Sequence, residues 1–135
     1  MKNSYLKSWE KAFTLVELMI MVGIIALLAL LAIPNLLRAR ISASDAIAQS
    51  TLKSIAVALE DYMMLNNQYP GSTNSLLGIS PPYLNKDYFS GTHMGYTYTA
   101  DIASYSYTIV AAPFIVGQTG TTTYTMTTGG VLQEE

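Results

Sequence analysis

Cysteine is absent and histidine occurs once, at His93, so the chain has no disulfide framework, no thiolate metal site and no histidine cluster for zinc or a catalytic triad. Charge is also scarce. Seven Lys and Arg against nine Asp and Glu leave a formal net charge of -2, with charged residues making up 12% of the chain. So small and negative a balance suits phosphate backbones poorly, and no nucleic-acid partner is expected. No nucleophile elbow, P-loop, dinucleotide fingerprint or metalloprotease helix occurs, so no enzyme is expected. Asp87 and Asp101 offer oxygen ligands, but calcium takes about six to eight oxygens and acidic residues are too sparse for a metal or other cofactor. His93, between Gly91 and Gly95, is expected to face solvent in a loop.

What the chain has in excess is apolar sequence, gathered near one end. Mean hydropathy is +0.29 over 135 residues, yet the region after Asn66 is rich in Thr, Ser, Gly and Tyr. From Leu18 to Leu37 no residue is charged, and from Leu18 to Ile33 every residue is apolar or Gly. That run matches the roughly 20 residues needed to cross a bilayer, and Lys2, Lys7 and Lys11 ahead of it would hold the N-terminus in the cytoplasm. Glu17 breaks the pattern. An ionisable residue at the bilayer centre costs roughly 2.5 to 3.5 kcal/mol on insertion scales, which marks it as functional and in need of a partner.

Three readings of this end compete. A secretory signal peptide would need a short apolar stretch and a small-x-small cleavage site. Ser42-Ala43-Ser44 offers one, but Arg38 and Arg40 intervene. A plain transmembrane anchor accounts for the length and leaves Glu17 unexplained. Cleavage between Ala12 and Phe13 gives Phe13 a positive α-amine four residues before Glu17. In low dielectric such charges are tolerable as a pair, within one chain or between neighbours shifted along a shared axis. An acidic residue in the first helical turn also complements the helix dipole.

The stretch Ala12-Phe13-Thr14-Leu15-Val16-Glu17-Leu18, its short basic leader and the later Pro34 resemble the N-terminus of type IV prepilins and type II secretion pseudopilins. The resemblance implies a leader over residues 1–12, cut before Phe13 by a membrane prepilin peptidase and methyltransferase that then methylates the new amine. It implies that Glu17 pairs with a neighbour's N-terminus and that Pro34 kinks the helix. The family usually carries Gly before the cut, where this chain has Ala12. It further implies a homo-oligomeric helical filament, an inner-membrane precursor and an assembly machinery as partners. The assembled form would be a surface pilus or a periplasmic pseudopilus. Without cysteine there is no disulfide-bounded loop, which favours a short pilin or a major pseudopilin.

Pro34 lacks an amide hydrogen and should bend a helix that continues through it. Beyond Arg40, Ala48, Leu52, Ile55, Leu59 and Tyr62 recur at helical spacing, with Asp45, Gln49, Lys53 and Asp61 at other positions. One helix over 13 to about 65 is therefore expected: residues 13–37 form an apolar transmembrane or filament-core half and residues 38–67 an amphipathic half. Asn66-Asn67 and Pro70-Gly71 provide its stop. Residues 68–135 form the remaining domain, beginning with a structured loop that folds onto something apolar. Period-two alternation follows in Tyr96–Thr99, Tyr105–Val110 and Thr123–Thr127, giving about three antiparallel strands and an α+β fold with the helix packed on the sheet.

The ten Tyr raise aromatic charge transport along a filament as a second idea. Tyr96, Tyr98, Tyr105 and Tyr107 instead follow strand spacing, with rings stacked across a sheet and hydroxyls at its wet margin. The leading function is a filament subunit, with the pseudopilin of a secretion machine as the alternative. A monomeric membrane-anchored binding protein is the remaining one.

Overall fold

A computed structural model describes residues 13–135, and the expected leader, including Ala12, lies outside the described residues. Helix α1 spans Leu15–Asn66, with Pro34 inside it. Its start is capped by Thr14, whose Oγ1 accepts the Glu17 N–H at 3.1 Å while its carbonyl accepts the Leu18 N–H at 3.2 Å. Its end comes where the sequence marks it. Asn67 adopts φ 56°, the left-handed cap conformation that asparagine tolerates, and its N–H donates to the Met63 carbonyl at 2.8 Å.

The chain divides between Leu36 and Leu37 into two units. In the first, every described residue is exposed apart from the half-buried Ala29. A helix apolar on all sides and bare of contacts has no protein core of its own to enter. The helix carries a stretch of mean hydropathy 2.8, long and apolar enough to cross a membrane.

The second unit, Leu37–Glu135, holds the rest of α1 and an antiparallel meander of strands in sequence order: β1 Thr92–His93, β2 Tyr96–Ala103, β3 Ser106–Pro113, β4 Tyr124–Thr127 and β5 Val131–Glu134. Five strands replace the expected three. The β1 strand is only two residues long, within a stretch that reads as a Gly-bounded loop. The β5 strand exposes three of its four residues and so carries no alternation; the turn Gly129-Gly130 before it was its only sequence signal. Tyr105, expected in a strand, sits exposed in the turn closed by the Ala103 and Ser106 pair.

Alternation along β2, β3 and β4 places Tyr96, Tyr98, Tyr107, Ile109, Ala111, Tyr124 and Met126 on one buried face. The helix meets that face with Ala48, Leu52, Ile55, Ala56 and Leu59, all buried, while Tyr62 packs at the edge. From the loop after the helix, Tyr69, Leu76 and Leu84 close the core and Ile79 stays exposed. This is the expected α+β arrangement, with a helix half laid on an antiparallel sheet.

Candidate functional site

Phe13 and Glu17 lie at the start of α1, both exposed. Counting from the cap Thr14, Glu17 is the third helical residue, so Thr14-Leu15-Val16-Glu17 has the spacing of a capping box. Only the bond from the Glu17 N–H to Thr14 Oγ1 is formed, and the carboxylate makes no hydrogen bond among the described residues. In the uncut chain Phe13 contributes a peptide nitrogen, not an amine. Large apolar side chains surround Glu17 along the helix, among them Leu15, Val16, Leu18 and Met19, each more than half exposed. An acid unpaired among the described residues, amid so much exposed apolar surface, is suited to burial against something that brings both a greasy face and a positive charge.

Two other carboxylates of α1 are already engaged. Asp45 and Glu60 bracket the buried stripe and face the sheet unit, although Asp45 reads from spacing as a polar-face residue. Asp45 Oδ1 accepts the Tyr96 hydroxyl at 2.7 Å and the Thr121 N–H at 3.1 Å, and its Oδ2 accepts the Thr121 hydroxyl at 2.6 Å. Glu60 accepts the Tyr69 hydroxyl at 3.1 Å, the Tyr107 hydroxyl at 3.1 Å and the Gly129 N–H at 3.1 Å. Each carboxylate is held by neutral donors, so each joins helix to sheet without a cation.

The titration behaviour follows from these contacts. Burial raises the Asp45 carboxyl, but the hydrogen bonds from the Thr121 side chain, Tyr96 and the Thr121 backbone outweigh it and leave the group below its ordinary 3.8. Tyr96 is pushed well above the ordinary tyrosine range by burial and then by Asp45, and Tyr107 by burial and then by Glu60. The hydroxyls of Tyr96 and Tyr107 therefore work as helix anchors, not at the wet margin expected of them. Tyr98 has a buried hydroxyl without a hydrogen-bond partner among the described residues.

His93 is not a solvent-facing loop residue. It lies in β1, half-buried, with its ring edge-on to Tyr88 at 5.8 Å between centroids. Asp87 Oδ1 accepts the Phe89 N–H at 2.8 Å in a local turn, and Asp101 is exposed on β2, paired with Thr108. Among the described residues no group of three or more His, Asp or Glu side chains is placed to hold a metal ion.

No protein-family model matches the chain. It is similar to the type IV wide pilus major component PilA4 of Thermus thermophilus, 41% identical over 69 residues, 51% of this chain and 53% of that protein. It is also similar to the type II secretion system core protein G of Pectobacterium carotovorum, 36% identical over 77 residues, 56% of this chain and 49% of that one. A third relative is the type IV major pilin protein PilA of Myxococcus xanthus, 31% identical over 86 residues, 64% of this chain and 39% of that one. The chain thus spans about half the length, or less, of these curated relatives.

Proposed function

We propose that this chain is the structural subunit of a type IV pilus-like filament, stored in the bacterial inner membrane as a prepilin. The observation that carries the reading is the bare apolar start of α1, with Glu17 as its single acid and nothing among the described residues to cover it. The similarity to named pilus components supports it. Residues 1–12 are the leader, residues 13–37 cross the bilayer, and residues 38–67 carry the sheet domain outside it. A prepilin peptidase cuts between Ala12 and Phe13 and methylates the new amine.

Assembly then exchanges lipid for the identical helices of neighbouring copies, so the apolar surface stays out of water in both states. Glu17 takes the Phe13 amine of an adjacent copy as its counter-ion. A copy docked in the wrong axial register would bury that carboxylate alone, which costs several kcal/mol by the general behaviour of unpaired buried charges, roughly 3 to 5. Head-to-tail contacts with a rotation that does not close make an open helix. Pro34 bends the helix within this packing. The mechanism is packing, not turnover.

Similarity to the type II secretion system core protein G favours a second reading, the major subunit of a periplasmic pseudopilus, which shares every step above. A deletion strain separates the two: loss of twitching or adhesion marks the pilus, loss of protein secretion the pseudopilus. The class itself is tested by mass spectrometry of the mature N-terminus. A methylated Phe13 is the expected result; an intact Met1 or a start at Asp45 rejects it.

A further inference from the structure

Phe114, Ile115 and Val116 project from the loop between β3 and β4, at 63%, 43% and 73% exposure. Such a cluster of large apolar groups on a domain with a complete core calls for a partner. We propose that this loop is an interfacial foot, resting in the headgroup and upper acyl region of an anionic bilayer while the chain is still a membrane-held monomer. The proposal rests on the reading that residues 13–37 span that bilayer.

Position comes first. Gly117, Gln118 and Thr119 of the loop, with Met94, line a groove of about 710 Å³ against Leu37 and Arg40 of α1. Leu37 ends the apolar segment and Arg40 follows it three residues later. At a rise of about 1.5 Å per residue, even Ile47 at the groove's far end is only about 15 Å along the helix from Leu37. Thr121 of the same loop bonds Asp45, which ties the loop to the helix within a few turns of the end of the apolar segment along the chain. Met94, 67% exposed, extends the apolar surface beside it.

Polarity comes second. No charged residue occurs between Asp101 and Glu134, so the loop brings no charge to be desolvated. Most of its backbone N–H groups are paired, although that of Val116 makes no bond among the described residues. The Phe114 N–H donates to the Gly95 carbonyl at 2.8 Å, the Ile115 N–H to Thr119 Oγ1 at 3.0 Å, and the Gly117 N–H to the Gly120 carbonyl at 2.8 Å. The N–H groups of Gln118 and Thr119 both donate to the Ile115 carbonyl, at 3.1 and 3.0 Å. A loop that already pairs most of its amides enters a medium poor in hydrogen-bonding partners at reduced cost. Charge complementarity comes third: Arg38 and Arg40 stand at the same end, where anionic headgroups attract them.

The test uses the cysteine-free full chain in vesicles of phosphatidylethanolamine and phosphatidylglycerol, with nitroxide labels on Val116→Cys, Val131→Cys and Leu27→Cys in separate samples. Val131 is exposed in the β4–β5 hairpin, whose Gly129 N–H bonds Glu60, a helix position roughly 35 Å from Leu37 and about 20 Å beyond Ile47 at the same rise. At Val116→Cys, collisions with oxygen should exceed those with a water-soluble nickel chelate several-fold, at a depth of about 5 Å below the phosphates. The ratio should reverse at Val131→Cys, and the depth should shrink in phosphatidylcholine vesicles. A water-exposed label at Val116→Cys with a lipid-exposed one at Leu27→Cys overturns the foot alone. A water-exposed label at Leu27→Cys overturns the spanning segment and the foot with it. Shielding at Val116→Cys that comes with spin–spin broadening, the broadening disappearing on dilution with unlabelled chain while the shielding stays, assigns the loop to a second copy and overturns the proposal.

Discussion

Glu17 has two duties that separate by atom. Its backbone N–H closes the helix cap with Thr14, while its carboxylate is left exposed. Thr14→Val should therefore fray the first turn by about 1 kcal/mol, read as faster amide exchange at residues 15–18 in detergent, with Glu17 still able to pair. Glu17→Ala should leave that cap, membrane insertion and cleavage after Ala12 intact and reduce assembled filaments severely. Normal filament yield from that variant, counted by electron microscopy, removes the register argument. Farther along the helix, Asp45→Ala strands the Thr121 N–H and leaves the Tyr96 hydroxyl with the Thr122 carbonyl alone, and a loss of about 1 to 3 kcal/mol is expected in urea unfolding. The sign of the pH dependence is fixed by the folded value lying below the unfolded one. Asp45 stabilisation is complete above the ordinary carboxylate range and is lost as pH falls through the depressed value. Asp45→Asn should flatten the stability profile between pH ~5 and ~2. Tyr96 and Tyr107 run the other way: their folded values are raised, so their contribution holds below the usual tyrosine range and fails at higher pH. In an ultraviolet titration their tyrosinate signal should appear only above the ordinary tyrosine range.

At the scale of elements, the long helix is the most legible feature because each of its signals is local. The apolar run, the spacing of Ala48, Leu52, Ile55 and Leu59, and the Asn66-Asn67 stop all act within a few turns. The sheet was legible where strands alternate and lost where they do not. The β5 strand pairs through backbone alone along much of its length, so its side chains carry little record of it. Contacts between distant loops left even less trace. Gly120 shows what such a contact requires: a Cβ there would press into the Tyr96 ring, whose hydroxyl must reach Asp45. Gly120→Ala should cost about 1 to 3 kcal/mol through overpacking and should lower the melting temperature of the domain. Gly23→Ala, with open space around the glycine, should leave it unchanged.

The division between Leu36 and Leu37 makes a prediction for the whole molecule. A chain shortened to residues 37–135 should fold cooperatively and stay in the aqueous phase on detergent partition, because core and sheet lie within that unit. The full chain should enter the detergent phase. Aggregation of the short form would mean that the domain depends on its apolar half. Sequence by itself determined the long helix and its apolar first half: apolar length, a lone acid and helical spacing are properties of neighbouring residues and need no fold to be read. Tertiary structure alone decided that Asp45 and Glu60 anchor the helix, that Tyr96 and Tyr107 supply the donors, and that Phe114, Ile115 and Val116 remain uncovered. Those facts depend on residues up to 76 positions apart along the chain, such as Asp45 and Thr121, which only the packing of helix on sheet brings within hydrogen-bond reach.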